Sequence, residues 1–412
     1  METQATEEDP GENSPGLNNF ASSYNLIGIH VTIHIFDNEL ISPNHLIIPT
    51  MLSFGRQALI VSLAISSLFS ISCSQSGSKT LSSADSVDSS ASKPAETVVV
   101  QPKNTDYTPN ELGKVMVLEY HLIGYPEDRW RRTPENFRKD LQMLYDNDFY
   151  PVSVLDIAHG NLNVPAGKTP FAITLDDSSA GQFRYIEKDG QLVIDPNCAL
   201  GIMEDFKKKH KDFPITASFY VLPAIKPTLR LFAQPEYQKQ KLEWLVKNGY
   251  EIGSHNWYHS MLSKLTDAEV QKHLSMFVKE IKAFILDYEV RTMALPLGMH
   301  AKNRALESKG EFEGIKYNHQ AVLLVGSVSS VSPYSKDFKP LAIQRVQAGE
   351  HTENPETFMK IQIKHKTRFV SDGDPKTISA PEKMKDQLRP GLEKKYAIKW
   401  IKEEEPGKLA QN

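Results

Sequence analysis

From about residue 110 to residue 325, short runs of apolar residues alternate with stretches in which apolar residues recur every three to four positions. A short apolar run is typical of a buried strand, and the three-to-four spacing is typical of an amphipathic helix. Strands are predicted over residues 114–120, 170–175, 215–222, 250–254, 292–295 and 321–325. Helices are predicted from Thr133 onward and over residues 202–209, 238–247 and 267–286. Strands that alternate with helices indicate βαβ units, which build a parallel sheet or a (β/α) barrel.

Polar residues of unusual kinds follow several of these strands at the point where each strand ends. His121 follows the first strand, Asp176 and Asp177 follow the second, and His255 follows the fourth. Pro-Leu-Gly at residues 296–298 follows the fifth. In a (β/α) barrel the carboxyl ends of the strands meet at one face, and that face carries the chemistry. We therefore expect these residues to converge on one site.

Two pairs of residues in this set have the chemistry of a metal site. His255 and His259 are four residues apart, which on a helical turn places both imidazoles on one side. Two imidazoles and one carboxylate form a common catalytic metal site that leaves a position for water. Adjacent strand-end residues such as Asp176 and Asp177 face apart, so one can bind metal while the other faces the water. Each pair alone is ambiguous, because surface histidines and loop carboxylates are ordinary alternatives.

The segments around these residues resemble the motifs of the NodB-homology family of polysaccharide deacetylases. Residues 171–178 (FAITLDDS) resemble the first motif, T-F-D-D-G, and residues 250–262 (YEIGSHNWYHSML) resemble the second, which contains H-[ST]-x-x-H. Residues 294–298 (ALPLG) are similar to the third motif, R-x-P-Y-G. Residues 216–221 (TASFYV) and 117–121 (VLEYH) resemble two further strands of the family.

This resemblance extends over roughly residues 113–350 in the family's order, and it implies an α/β fold, a distorted (β/α) barrel of the NodB-homology type. By position it implies three metal ligands: Asp177, His255 and His259. It also implies Asp176 as the general base and a divalent metal, commonly zinc in this family. Such a metal lowers the pKa of a bound water and polarises the acetyl carbonyl. The backbone N–H of Leu297 would stabilise the oxyanion.

The sequence departs from the family pattern at three places. Ser178 replaces the glycine after the aspartate pair, and Ala294 stands where the family's arginine orients the base, so we expect the base to be less well held. The late motif that supplies a histidine as general acid has no clear match, and Arg345 stands at the corresponding strand end. The candidate acids, each with a structural role as the alternative, are His121, His300 and His319.

Residues 58–71 (ALIVSLAISSLFSI) form an apolar segment shorter than the roughly 20 residues that a membrane span needs. With Arg56 before it and small residues after it, the stretch 51–72 is typical of a secretory signal. The cysteine that follows, Cys73, resembles the lipidated cysteine of a bacterial lipobox. Residues 73–109 are rich in serine and are predicted to form a flexible tether. A buried helix with an incidental cysteine is the alternative.

Residues 1–50 precede this signal, whereas signals occupy roughly the first 15–30 residues of a chain. We therefore expect translation to begin at Met51, with a genuine extension that carries a strand over residues 27–35 as the alternative. The protein is expected in the cell envelope, facing the periplasm or the cell exterior. Its contact with the membrane is expected to be through the lipid anchor only.

The composition adds constraints on partners and on redox chemistry. The 412 residues include 47 Lys and Arg against 51 Asp and Glu, a net charge of −4 that gives no basic footprint for nucleic acid. The chain has only two cysteines, which excludes a cysteine-rich zinc site. Cys198 is predicted to be a buried structural thiol.

Two segments surround or interrupt the barrel, which is predicted over residues 110–350. Residues 183–200 form an insertion with a turn at residues 188–190, expected to overhang the catalytic face and shape a substrate groove. A hairpin without functional consequence is the alternative. Residues 351–412 are predicted to be a charged C-terminal extension, with a short strand near residues 367–370 and a solvated helical tail.

The favoured function is hydrolysis of N- or O-acetyl groups on a polysaccharide of the envelope-glycan, chitooligosaccharide or xylan type. A catalytically weak carbohydrate-binding lipoprotein that keeps the barrel and its metal is the first alternative. A metal-stabilised structural or adhesive surface protein is the second. The sequence leaves the oligomeric state open.

Overall fold

The computed structural model describes residues 23–26, 29–32, 107–326, 328–349 and 354–402. The chain divides into a unit of residues 1–90 and a unit of residues 91–412. In the first unit, Ser23–Leu26 and Ile29–Thr32 are antiparallel paired strands, and the second of them lies within the strand considered for residues 27–35. The apolar segment 58–71 and Cys73 lie outside the described residues.

The second unit contains an eight-stranded sheet in which all the strand pairs are parallel. Its strands are β1 (Met116–Tyr120), β2 (Phe149–Pro151), β3 (Thr169–Asp176), β4 (Ser218–Val221), β5 (Glu251–Ser254), β6 (Thr292–Ala294), β7 (Ala321–Leu323) and β8 (Val346–Gln347). They follow the order β7-β6-β5-β4-β3-β1-β8, and β2 also pairs with β3. The predicted fold class, a distorted (β/α) barrel, is confirmed. Of the eight strands of this sheet, the sequence analysis did not predict β2 and β8, which have three and two residues.

Seven α-helices connect or flank these strands in the described part of the chain. They are α1 (Pro134–Asp146), α2 (Val154–His159), α3 (Ala199–Lys209), α4 (Gln238–Lys247), α5 (Asp267–Phe284), α6 (Ala305–Ser308) and α7 (Pro355–Lys364). Side-chain caps set the beginnings of the two longest. The hydroxyl of Thr133 accepts a hydrogen bond from the backbone N–H of Asn136, and Thr266 forms a capping box with Glu269. No described helix is both long and apolar enough to cross a membrane.

Both faces of the central sheet are buried, as a parallel sheet between helices requires. Along β1, Met116, Leu118 and Tyr120 contribute to one hydrophobic cluster, whereas Val115 and Val117 contribute to another. This alternation follows from the period of two in a strand. All eight residues of β3 are buried, so the aspartates that follow lie at the end of a rigid element.

Cys198 immediately precedes α3 and is fully buried, which confirms the predicted structural thiol. Its Sγ accepts a hydrogen bond from the backbone N–H of Gly201 at 3.4 Å. Between β3 and α3, Tyr185–Lys188 and Gln191–Ile194 form an antiparallel hairpin. Asp189 and Gly190 have φ values of 53° and 72°, so the turn predicted at residues 188–190 is present. That this hairpin shapes a groove stays a prediction.

The prediction of a solvated helical tail is wrong for residues 377–401. Thr377–Pro381 and Ala397–Ile401 form two parallel strands, and Ile378 and Ala380 are buried in the second hydrophobic cluster. Only isolated bridges occur near the strand predicted at residues 367–370. These two strands are short apolar runs among many lysines and glutamates, so the composition of the segment did not predict them. The buried side chain of Glu111 accepts a hydrogen bond from the N–H of Ser379 at 2.8 Å, which joins the segment to the start of the barrel.

His319, one of the candidate acids, lies in the core just before β7. Its Nδ1 is 2.7 Å from the carbonyl oxygen of Glu307, to which it donates, and its buried Nε2 has no hydrogen-bond partner. Burial lowers the pKa of His319 from 6.5 to about 4. The imidazole is therefore neutral in the folded protein at physiological pH.

We predict that His319 makes the fold sensitive to acid. Because its pKa is lower in the folded than in the unfolded chain, its contribution is complete above pH 6.5 and is lost as the pH falls toward 4. The loss reaches about 3 kcal/mol, because one pKa unit corresponds to about 1.4 kcal/mol. His319→Gln keeps a donor but does not titrate. Urea denaturation at about pH 7 and about pH 4.5 should show a smaller pH-dependent loss for this variant. Equal losses in both proteins would contradict the assignment.

Candidate active site

The carboxyl ends of three strands, β1, β3 and β5, bring the predicted site residues to one edge of the sheet. Asp176 is the last residue of β3 and Asp177 follows it, whereas His121 follows β1 and His255 follows β5. The strands β1 and β5 are separated in the sheet only by β3 and β4. The sheet topology therefore produces the convergence expected from the strand ends.

Asp177, His255 and His259 form a group with the composition of a metal site. The Oδ1 atom of Asp177 is 3.3 Å from Nε2 of His255 and 3.4 Å from Nε2 of His259. The three atoms lie within 4.8 Å of one another. Asp177 Oδ1 is buried without a hydrogen-bond partner. A buried carboxylate oxygen without a donor is costly, and a cation between these atoms would satisfy it.

The imidazole of His255 has the orientation that a metal ligand needs. Its Nδ1 lies 2.9 Å from the carbonyl oxygen of Ala294, which can only accept, so Nδ1 carries the proton. The lone pair of Nε2 then faces Asp177 and His259. Ala294, which replaces the family's arginine, thus contributes its backbone to the site.

The electrostatics of the group suit a divalent cation. Burial alone would raise the pKa of Asp177, but the neighbouring His255, followed by His121 and His259, holds that pKa well below its usual range. Burial, and then the proximity of His255, lowers the pKa of His259. Burial would lower the pKa of His255, but Asp176 and then Asp177 raise it above its usual value. An ionised carboxylate and a neutral imidazole are the forms that bind metal, so a cation at this site would displace any proton on Nε2 of His255. The residues present therefore fit the metal that the family resemblance implies.

The segment from His255 to His259 is a loop and not the helical turn considered from the spacing. Asn256 and His259 have φ values of 70° and 60°, and the two imidazole centroids are 4.8 Å apart. The side chain of Asn256 holds the loop, because its Nδ2 donates to the carbonyl of Ser260 at 2.9 Å and its Oδ1 lies 3.0 Å from Nδ1 of His273.

Asp176 is held by an arginine that the sequence analysis did not assign to this task. The guanidinium of Arg345 donates from Nη1 to Oδ1 and from Nη2 to Oδ2 of Asp176, both at 2.8 Å. Both side chains are buried. Burial would raise the pKa of Asp176, but Arg345 and then His255 lower it below its usual value. The expectation that the base is poorly held is therefore wrong.

Arg345 also pairs with a second buried carboxylate. Its Nη2 is 3.2 Å from Oε1 of Glu119, and Glu119 Oε2 accepts a hydrogen bond from the N–H of Gly326. Glu119, His121 and Asp176 could by composition hold a metal too. The guanidinium of Arg345 already pairs with both carboxylates of that group, and its positive charge would repel a second cation.

Two signals in the sequence could have revealed this network. Glu119 is a charged residue inside an apolar strand, and such residues are rarely fully buried without a partner. Arg345 stands at a strand end where the family has a catalytic residue. What the sequence does not give is their proximity, because Arg345 and Asp176 are 169 residues apart.

Of the three candidate acids, only His121 lies among these groups. Its Nε2 is 3.7 Å from Oε1 of Glu119, and its Nδ1 is buried without a hydrogen-bond partner. The ring contacts Trp130 edge-to-face, with 4.8 Å between centroids. His300 is instead paired with the buried carboxylate of Glu307, with Nδ1 2.8 Å from Oε2.

Leu297 lies in a short turn, Pro296–Gly298, that directly follows β6 and Leu295. Its φ value is 57°, and 56% of its surface is exposed. The exposed side chain makes the turn accessible from solvent. The predicted role of its backbone N–H as an oxyanion donor stays a prediction.

A comparison with known families finds a similarity over part of the chain. Residues 210–311 match the family model of polysaccharide deacetylase. The matched stretch includes His255, His259 and Leu297, whereas the aspartate pair precedes it. Residues 210–311 are therefore similar to polysaccharide deacetylases, in agreement with the motifs.

Several solved structures are similar to this chain. The Streptococcus pyogenes deacetylase PplD in complex with acetate is 16% identical, with a TM-score of 0.44, and the match covers 61% of this chain and 98% of that one. BC0361, a polysaccharide deacetylase from Bacillus cereus, is 19% identical with a TM-score of 0.43, covering 60% and 68%. IcaB from Ammonifex degensii is 16% identical with a TM-score of 0.42, covering 60% and 96%. No curated protein matches the chain significantly.

We predict that the metal is lost when any of its three ligands is removed. Asp177→Asn, His255→Ala and His259→Ala should each lower the metal bound per protein, because two remaining donors hold a cation weakly. Plasma mass spectrometry of the purified variants measures this stoichiometry. His159→Ala, which removes an exposed histidine at the end of α2, is the control.

The two aspartates should differ in their effect on metal binding. Asp176→Asn should keep the metal, because Arg345 pairs with both oxygens of Asp176, and Nε2 of His255 is 3.8 Å from its Oδ2 but 3.3 Å from Oδ1 of Asp177. Loss of metal in Asp176→Asn together with its retention in Asp177→Asn would reverse the two assignments.

Proposed function

We propose that this protein is a metal-dependent hydrolase that removes acetyl groups from an N- or O-acetylated polysaccharide. The observation that carries the proposal is the ligand group Asp177, His255 and His259 beside the arginine-held carboxylate of Asp176. The family match at residues 210–311 supports the same activity.

The chain's own residues suit the first half of such a hydrolysis. Asp177, His255 and His259 would hold a divalent metal, for which zinc is our proposal, and the metal would supply Lewis acidity toward water and the acetyl carbonyl. Asp176 is ionised and would accept the proton of the attacking water. Because Arg345 holds both of its oxygens, the carboxylate enters the reaction already oriented. The backbone N–H of Leu297 would donate to the oxyanion.

His121 is our candidate for the second half of the reaction. The sugar nitrogen or oxygen must receive a proton as its bond to the acetyl carbon breaks, which yields acetate and a free amine or hydroxyl. His121 is only slightly exposed, and it lies in the group with Asp176 and Glu119. It would therefore supply the proton that the family obtains from a later strand.

The surroundings of the site support a sugar polymer as the substrate. Trp130, which contacts His121, is 39% exposed, and Tyr258, next to the ligand His259, is 48% exposed. Exposed aromatic rings pack against the apolar C–H faces of sugar rings while the sugar hydroxyls stay solvated. The insertion starts close by, because the side chain of Gln182 donates to the carbonyl of His121 at 2.7 Å. We propose that it borders the same groove.

One observation favours the carbohydrate-binding alternative. The late strand that would carry the family's general acid carries Arg345, whose guanidinium is fully buried and paired. If His121 does not replace that acid, the chain would bind metal and sugar with little turnover. Acetate release separates the two functions.

We predict that acetate is released from acetylated chitooligosaccharide, xylan or peptidoglycan, and that two variants lose this activity by different routes. Asp176→Asn and His121→Asn should each reduce acetate release by roughly 10²–10⁴-fold, the usual weight of general acid–base catalysis. His121→Asn should do so with its metal content unchanged, whereas His300→Ala should keep activity. A metal-loaded wild type that releases no acetate from these substrates would support the carbohydrate-binding alternative.

We also propose that the protein is lipid-anchored in the cell envelope, facing the periplasm or the cell exterior. The support is the order of the sequence alone: an apolar segment at residues 58–71, then Cys73, then a serine-rich tether. A tether of this composition would let the deacetylase domain reach a glycan at a distance from the membrane.

The anchor predicts a defined mature terminus. Mass spectrometry of the native protein should find a lipidated peptide that begins at Cys73, and Cys73→Ala should move the protein from the membrane fraction to the soluble fraction. An unmodified peptide that spans residues 71–75 in the membrane fraction would contradict the anchor.

A further inference from the structure

The loop between β4 and α4 contains a left-handed helical turn. Four consecutive residues, Leu231, Phe232, Ala233 and Gln234, have φ values of 46°, 69°, 54° and 49°. None of them is glycine, and this conformation costs roughly 1–2 kcal/mol for each such residue. Leu231 and Phe232 are fully buried. A conformation of this kind persists only where its surroundings impose it.

Helix α4 imposes part of it. Lys241 is fully buried, and its Nζ donates to the carbonyl of Phe232 at 2.8 Å and lies 3.4 Å from that of Ala233. The side chain of Gln234 pairs with both backbone groups of Tyr185, at 2.9 Å and 2.8 Å. The turn is thus fastened to the helix on one side and to the insertion hairpin on the other.

Ser178, which follows the proposed metal ligand Asp177, forms the third attachment of this loop. The buried hydroxyl of Ser178 donates to the carbonyl of Leu229 at 2.7 Å and accepts from the N–H of Leu222 at 3.0 Å. The carbonyl of Ser178 accepts from the N–H of Phe232, the second residue of the turn, at 2.9 Å. Three hydrogen bonds therefore join this one residue to the loop.

Asp177 depends on this attachment for its direction. Asp177 and Ser178 have φ values of 75° and 46°, so the chain leaves β3 in the left-handed region. Asp177 Oδ1 has no hydrogen-bond donor among the described residues. With no donor on that oxygen, the backbone of residues 177–178 is what aims it at the imidazoles.

We propose that Ser178 is a positioning residue: through its hydroxyl and the left-handed turn, it holds Asp177 in the orientation in which it binds metal together with His255 and His259. The inference rests on the metal-binding part of the proposed function and is independent of acetate release. It also explains why a serine stands at a position whose φ of 46° would favour glycine.

The test uses the metal-free protein titrated with Co²⁺, whose visible absorption reports both affinity and coordination. Ser178→Ala and Ser178→Gly should each weaken Co²⁺ binding about tenfold, the lower range for residues that orient a metal ligand. Both should also change the absorption spectrum. Ser178→Ala removes only the hydroxyl, whereas Ser178→Gly removes the whole side chain and relaxes the backbone. Ser178→Gly is therefore the diagnostic variant, because weaker binding in it cannot come from backbone strain. Co²⁺ binding by Ser178→Gly with wild-type affinity and spectrum would overturn the proposal.

Ser332 provides a matched control. It is also fully buried, and its hydroxyl also makes two hydrogen bonds, to the carbonyl of Glu111 at 2.6 Å and from the N–H of Tyr334 at 3.1 Å. Ser332→Ala should therefore lower the melting temperature as Ser178→Ala does, but should leave Co²⁺ affinity unchanged. If Ser332→Ala weakens Co²⁺ binding to the same extent, the effect is general destabilisation and the proposal fails.

Lys241→Met supplies a second route that does not depend on Ser178 variants folding. It removes the donor to the turn, so Co²⁺ affinity should fall although Lys241 contacts no ligand; unchanged affinity would overturn the proposal. In Ser178→Ala/Lys241→Met the two losses should be less than additive, because both act through one turn. Full additivity would contradict this route. A wild type that binds Co²⁺ but releases no acetate would refute the deacetylase function and leave this inference intact.

Discussion

The buried guanidinium of Arg345 is the interaction on which the barrel and its site depend together. Arg345 directly precedes β8, and its Nε donates to the carbonyl of Leu324, just after β7, at 2.6 Å. These two strands are the opposite ends of the sheet order, so the arginine lies where the barrel must close. Its other nitrogens reach Asp176 on β3 and Glu119 on β1. One side chain therefore connects four strands and orients the carboxylate of Asp176, which we propose as the base.

A buried charge group of this kind tolerates little change. Removing one partner of a buried pair typically costs about 3–5 kcal/mol, because the other charge is left unpaired. Asp176→Asn is thus a test of stability as well as of chemistry, and the melting temperature must accompany its acetate release. The same constraint explains why the two aspartates divide their tasks. Inside the barrel, Arg345 pairs with both oxygens of Asp176. Asp177 Oδ1 instead lies near both imidazoles at the rim.

The sequence predicts those features of the fold and of the site whose causes lie in neighbouring residues of the chain. Six of the eight strands of the barrel, the beginning of α1 and the turn at residues 188–190 follow from apolar spacing, caps and turn residues. The convergence of His121, the aspartates and His255 follows from a rule about strand ends. The conformation of the loop after His255 depends on Asn256 and its partner His273, seventeen residues further along, so spacing alone suggested a helical turn. The strands at Thr377–Pro381 and Ala397–Ile401 are short and lie among charges, and only their burial against the barrel makes them strands.

The three departures from the family pattern have one physical feature in common. At Ala294 the arginine side chain is missing, yet the carbonyl of the same residue fixes His255, and Arg345 supplies a guanidinium from the other end of the barrel. At Ser178 the glycine is missing, yet the hydroxyl is anchored to Leu222 and Leu229, in the loop that carries the left-handed turn. In each case the replacement comes from a segment distant in sequence but adjacent in space. A motif records which residue type stands at each position of the chain. The chemistry requires only that a suitable group lie at the right place, so a site can keep its function although its motif is altered.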